Sequence, residues 1–244
     1  PIPSTGEQLP VVGLGTNDYG VTDPEAYAQR KEVLGALPAL GGKVVDTARG
    51  YGDSELVIGR AVRELGNRDR LFIASKTPMG GDVSGGRAVI EESFRRLQVE
   101  VIDLMQIHNL HGLDALMPLL LEMKAEQKIR YVGMSTSTDL QYQDFLAGLA
   151  RYPVDFLQVD YSIADRSAAE RILPHAQEKG IAVLINMPFG GRRSGNLFPK
   201  VRERALPGWA TEAGIGSWAQ FFLKYVVSHP AVTCSIPGTT RLSN

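Results

Sequence analysis

Eight short apolar runs alternate with segments of helical spacing, and this alternation limits the chain's possible folds more than any other feature. The runs are PVVGLGT, KVVDTA, RLFIASKT, VIDLMQIH, YVGMST, VDFLQVDY, IAVLINM and VTCSIP. Each is rich in β-branched or aromatic residues, as strands buried on both faces are. In SELVIGRAVREL, Leu56 and the residues Val62 to Leu65 form an apolar stripe, with Ser54 placed as an N-cap. GGRAVIEESFRRL puts Val89, Ile90, Phe94 and Leu97 on one face, and SWAQFFLKYVVSHP is spaced similarly. SAAERILPHAQEKG stops at Gly180 as a helix C-terminus should, while Pro174 within it predicts a kink or a late start. Strict alternation implies a parallel sheet. Eight units favour closure into a (β/α)8 TIM barrel over an open doubly wound sheet.

The last run has no helix after it: the chain ends at SIPGTTRLSN. Either the eighth helix is not included in this chain, or the barrel is incomplete. The opening PIPSTGEQLP resembles a short β-hairpin that turns at Thr5 and Gly6 and plugs one end of the barrel. No long linker or low-complexity stretch divides the 244 residues, so 1–244 reads as one domain.

Lys and Arg number 26 against 27 Asp and Glu, which gives no support to a nucleic-acid or membrane-surface partner. The single cysteine, Cys234, rules out an intramolecular disulfide and a cysteine metal cluster, and AVTCSIPG reads as a buried strand thiol. LDALMPLLLEM is broken by Pro118 and is too short to cross a bilayer. No secretory signal is visible, although the chain starts at Pro1 rather than Met. A cytoplasmic protein, monomeric or weakly oligomeric, is the favoured expectation; an exported form whose signal segment has been removed is the alternative.

In a parallel barrel, chemistry sits at the C-terminal ends of the strands. Polar residues recur there: Asp46 with Tyr51 close behind it, Lys76, His108, Ser135 and Thr136, Gln158, and Asn186. Taken singly, each has a plain alternative: Asp46 as a turn cap, Tyr51 as a loop aromatic and His108 as a loop histidine. Taken together, the first four make one chemical device. A phenol is a poor proton donor at neutral pH, a neighbouring ammonium favours its phenolate, and an Asp fixes the Lys. His108 would direct a substrate oxygen to the hydroxyl. The set has no evident nucleophile and no metal-ligand constellation.

VVDTARGYGDSE, with LFIASKT, IDLMQIH and SIPGTTR, resembles an aldo-keto reductase, and the likeness keeps the family's order through nearly the whole chain. The resemblance implies reduction of a carbonyl substrate with NADPH. It assigns Tyr51 as general acid, Lys76 and Asp46 as its supporting ion pair, and His108 as the orienting group. It places Gly15 and Thr16 of the GLGT stretch beside the cofactor; this stretch is not a Rossmann fingerprint. Ser135 and Thr136 stand where the family has a Ser-Asn pair for the nicotinamide carboxamide, and Gln158 completes that grip. Asn186, with Met187 beside it, stands where many members stack an aromatic. The basic, Gly-rich loop from Pro188 to Arg204 reads either as a cover for a pyrophosphate or as an ordinary flexible loop. Gly238, Thr239, Thr240 and Arg241 resemble a 2′-phosphate binder, which favours NADP(H), with NAD(H) second.

Two other functions fit such a scaffold. One is a nucleotide-binding regulatory or weakly active protein, like a potassium-channel β-subunit. The other is an isomerase or aldolase using Lys76 as a Schiff base. The intact Asp46, Tyr51, Lys76, His108 set favours the reductase. Short loops after the third and fourth runs, PMGGDVSGG and NLHGLD, suggest an open site for a bulky or loosely selected carbonyl.

Overall fold

Each of the eight apolar runs contributes one strand to a single parallel sheet in the computed structural model, which describes residues 1–244. The strands are β1 (Leu14–Gly15), β2 (Val44–Asp46), β3 (Phe72–Lys76), β4 (Ile102–Ile107), β5 (Ile129–Ser135), β6 (Phe156–Asp160), β7 (Ala182–Asn186) and β8 (Cys234–Ser235). They pair in chain order. Parallel bridges from Val12 to Ser235 and from Gly15 to Gly238 then join the last strand to the first. Backbone bonds from Gly13 N to Ser235 O and from Gly15 N to Pro237 O, both 2.8 Å, run along this seam. The result is a (β/α)8 TIM barrel.

Helices α1 (Pro24–Ala36), α2 (Ser54–Leu65), α3 (Arg87–Leu97), α4 (Leu113–Ala125), α5 (Tyr142–Arg151) and α6 (Ala168–Lys179) connect successive strands. α6 runs through Pro174 and stops at Gly180, whose left-handed backbone (φ 64°) returns its N–H to the last turn. Between β7 and β8 the chain forms two short helices, α7 (Phe198–Val201) and α8 (Gly208–Glu212), before α9 (Trp218–Val227). No helix is long and apolar enough to cross a membrane.

Strand periodicity of two sorts the side chains into an inner and an outer set. Val44, Phe72, Ala74, Leu104, Tyr131, Phe156, Ala182 and Leu184 pack together in one buried cluster inside the barrel. Their neighbours Val45, Ile73, Met105, Val132, Leu157 and Val183 belong to a second cluster, shared with the helices. Two residues beyond Val44, Ala74 and Leu184 come Asp46, Lys76 and Asn186, so the alternation that builds the core also aims polar groups into its upper end. Gly15 serves the same end of the barrel: a Cβ there would lie 2.7 Å from the Ile236 carbonyl oxygen, so the seam needs a glycine.

The other end is closed by the N-terminal segment, but through a turn rather than the expected hairpin. Ile2 N donates to Glu7 O (2.8 Å) and Gly6 N to Ile2 O (2.7 Å), with Gly6 at φ 77°, and no strand pair extends from this turn. Pro3 and Pro10 have no backbone N–H to give to a ladder. Ile2 is fully buried in the same cluster as Phe72, Tyr131 and Phe156.

Candidate active site

Lys76 ends β3 on the inner face, and its Nζ donates to Asp46 Oδ2 at 2.6 Å and to Thr47 O at 2.9 Å. Both side chains are buried, at 1% and 3% exposure. Burial pushes the Asp46 carboxyl above its ordinary range, the Lys76 ammonium opposing that shift only in part; burial also works to lower the Lys76 pKa, but the Asp46 carboxylate outweighs it and Lys76 ends above its ordinary range. A pair this deep is costly to desolvate, so it is weak support for stability and better read as a device for a site.

Tyr51 comes from the loop between β2 and α2. Its N–H returns to Ala48 O (3.1 Å), and its carbonyl accepts from Ser54 N (3.1 Å). Ser54 Oγ in turn donates to Thr16 O at 2.8 Å, tying the loop to the end of β1. Lys76 Nζ lies 3.5 Å from the Tyr51 hydroxyl. His108, the first residue past β4, packs its ring edge-on to Tyr51, with centroids 5.8 Å apart and planes at 85°. Burial, reinforced by the Lys76 ammonium, pushes the imidazole pKa down to about 3. His108 is therefore neutral at ordinary pH, and its buried Nδ1 has no partner.

These side chains converge on a cavity of about 410 Å³ at the C-terminal mouth, to which Gly15, Thr16 and Gly238 contribute one wall. Ser135, Gln158 and Asn186 contribute the wall on β5 to β7. Ser135 Oγ donates to Ile107 O at 3.2 Å, and Gln158 Oε1 accepts from Gln106 Nε2 at 2.9 Å. Asn186 Nδ2 donates to Thr136 O at 3.3 Å, which leaves its Oδ1 buried without a partner. Thr136 does not line this cavity: its hydroxyl donates to Gln141 Oε1 at 2.7 Å, in the turn before α5. Thr239, Thr240 and Arg241 also lie outside it, beyond Gly238. Thr239 Oγ1 bonds Arg241 O (3.0 Å), and Thr239 O accepts from Tyr19 OH (3.1 Å).

Sequence reasoning missed Met79 and Asn109 as lining residues, whereas Phe189 and Arg192 belong to the loop from Pro188 to Arg204 that it offered as a cofactor cover. Asn109 adopts a left-handed backbone (φ 50°, ψ 40°) directly after His108. Asn tolerates that region better than most residues, so the His-Asn pair at a strand end carried a readable signal. Gln106, the amide partner of Gln158, was hidden inside the apolar run LMQI. Met79 and Arg192 lie on loops whose course no periodicity reports.

A closed parallel barrel with a buried Asp-Lys pair, a tyrosine hydroxyl and a neutral histidine at its C-terminal mouth defines a barrel protein organised around one polar site. The chain belongs to the aldo/keto reductase family, whose sequence profile matches residues 11–244. It is 30% identical over 224 residues to aldo-keto reductase YhdN of Bacillus subtilis (strain 168), a match covering 83% of this chain and 64% of that protein. The chain thus spans less than two thirds of that relative's length. It is also similar to an aldo/keto reductase of Klebsiella pneumoniae solved in complex with NADP and acetate, at TM-score 0.78 and 28% identity, covering 96% of this chain and 83% of the other. A Klebsiella pneumoniae aldo-keto reductase in complex with NADPH superposes at TM-score 0.79 and 28% identity, covering 96% and 82%.

Proposed function

We propose that this protein reduces an aldehyde or ketone with NADPH, Tyr51 giving the proton. The observation that carries the reading is the line from Asp46 through Lys76 to Tyr51, with steps of 2.6 and 3.5 Å. The ammonium stabilises the phenolate that remains once the proton has left, and Asp46 keeps that ammonium charged and in place. His108, held neutral, does not compete as an acid; it borders the tyrosine ring and orients the substrate oxygen.

The residues present fit a nicotinamide dinucleotide. Ser135, Gln158 and the unpartnered Asn186 Oδ1 suit the carboxamide end, and the backbone of Gly15 and Gly238 forms part of the cavity wall. Arg192 at the rim suits a phosphate, and Thr239, Thr240 and Arg241 suit a 2′-phosphate farther out. The cofactor, when bound, supplies the hydride. The Klebsiella pneumoniae relatives bound to NADP and NADPH support this choice over NADH.

The test is NADPH oxidation across a panel of aldehydes and ketones, with NADH in parallel. Tyr51→Phe is expected to lower kcat by about 10²- to 10⁴-fold, the range of general acid catalysis, while NADPH still binds. An unchanged rate in Tyr51→Phe overturns the assignment.

A further inference from the structure

Glu55, in the first turn of α2, has no exposed side-chain surface, although it is an acidic residue and lies outside the cavity. Carboxylates are almost never fully buried unless paired. Its Oε1 accepts from Ser75 Oγ at 2.6 Å and its Oε2 from Arg96 Nε at 3.1 Å. Ser75 immediately precedes Lys76 on β3 and points to the opposite, outer side of the barrel wall. Arg96, near the end of α3, continues past Glu55: its second terminal nitrogen donates to Gly52 O and, at 3.4 Å, to Asp53 Oδ1. Gly52 follows Tyr51 and turns the loop with φ 58°.

The bracket depends on how closely α2 and α3 approach. A Cβ on Gly59 of α2 would lie 2.5 Å from Arg96 O, so only a glycine there brings the two helices near enough for Arg96 to reach across. A buried ion pair is a poor way to add stability. Here it joins two points, the backbone at Gly52 and the side chain of Ser75. Each is one residue from a group whose separation matters, Tyr51 and Lys76 respectively.

We propose that Glu55 and Arg96 are positioning residues, forming a carboxylate-guanidinium bracket on the outer face of the barrel that sets the Tyr51 hydroxyl against the Lys76 ammonium. This rests on Tyr51 being the proton donor. Misplacement of a reacting group by about 1 Å can cost on the order of 10²-fold in rate. Loss of the bracket should therefore act on kcat and leave the cofactor's own contacts alone.

The variants are Arg96→Ala, Arg96→Lys and Glu55→Gln, with Tyr51→Phe as reference. Arg96→Ala is expected to lose about 10- to 100-fold in kcat with the NADPH Kd unchanged. Amide hydrogen exchange should speed up at residues 49–54, Arg96→Lys should recover part of the rate, and added guanidinium salt should restore activity to Arg96→Ala. Where Tyr51→Phe is impaired, a folded Arg96→Ala protein with wild-type kcat overturns the proposal whatever its exchange shows. If Glu55→Gln does not fold, the Arg96 variants decide alone. If Tyr51→Phe is as active as wild type, the proton-donor reading has failed instead. Exchange at 49–54 then decides the bracket: faster in Arg96→Ala supports it, unchanged overturns it.

Discussion

Lys76 Nζ sits 2.6 Å from Asp46 Oδ2, and both side chains are buried. Removing one side of a buried pair leaves the other charge uncompensated. Asp46→Asn is therefore expected to destabilise the fold by about 3–5 kcal/mol, the usual cost of breaking such a pair from one side. Adding Lys76→Met to it should recover part of that loss, because the stranded ammonium is gone. Urea unfolding of the two single variants and the double gives the comparison. A double variant no more stable than Asp46→Asn would mean that the pair is not the source of the loss.

His108 makes a pH prediction whose sign follows from burial. Its folded pKa, about 3, lies below the ordinary value of 6.5, so between those pH values the unfolded chain binds the extra proton. The stability this residue contributes is fully present above pH 6.5 and declines as pH falls towards 3. The slope is at most about 1.4 kcal/mol per pH unit, that of one proton. Unfolding free energies of the wild type and His108→Gln, measured from pH 7 down to pH 5, should diverge in slope. Parallel profiles would show that His108 is not buried neutral.

The legibility of this chain follows the period of its strands. Asp46, Lys76 and Asn186 were readable because an apolar run that ends on a polar residue, in a barrel, ends at the mouth. The same alternation placed Ser75 and Lys76 on opposite sides of the wall. Loops carry no such period. Met79 therefore went unseen, Arg192 was reached only as part of the basic loop from Pro188 to Arg204, and α7 and α8, only four and five residues long, left no helical signature. Thr136 stood at the expected position, but its hydroxyl turned to Gln141, a choice made by a local turn five residues on. The N-terminal hairpin failed for a related reason: the prolines that mark a turn also withhold the N–H groups a ladder needs.

Arg193 ties down the loop whose neighbour Arg192 borders the cavity. Its Nε donates to Asp165 Oδ2 at 2.8 Å, and its other nitrogens reach Asp139 and Ser167. Within the loop, Leu197 N bonds Phe189 O at 2.9 Å and Gly195 N bonds Gly191 O at 2.8 Å, so the segment is closed on itself and clasped at one point. Arg193 is 44% exposed, so the clasp contributes no more than about 1 kcal/mol after screening. Arg193→Ala should quicken amide exchange at 189–197 and weaken NADPH binding several-fold. Stopped-flow release of NADPH would show the change in the off-rate. An unchanged off-rate would place the loop outside the cofactor's path.

The barrel seam gives the last prediction. Gly15 lines the cavity and donates its N–H to Pro237 O at 2.8 Å, while a Cβ on it would lie 2.7 Å from Ile236 O. That neighbour is backbone and cannot swing aside, so Gly15→Ala must push β1 and β8 apart where they close the barrel. Overpacking of this kind costs about 1–3 kcal/mol. Gly80, in the loop after β3, is the control, because a Cβ there meets nothing within 4 Å and its φ is not in the left-handed region. Gly80→Ala should be neutral or stabilising by up to about 1 kcal/mol through the unfolded chain. Thermal melts of the two variants should therefore move apart. Gly15→Ala should also lose NADPH affinity, because its backbone forms part of the cavity wall. If both variants melt like wild type, the closed seam between β1 and β8 is not what limits the barrel's stability.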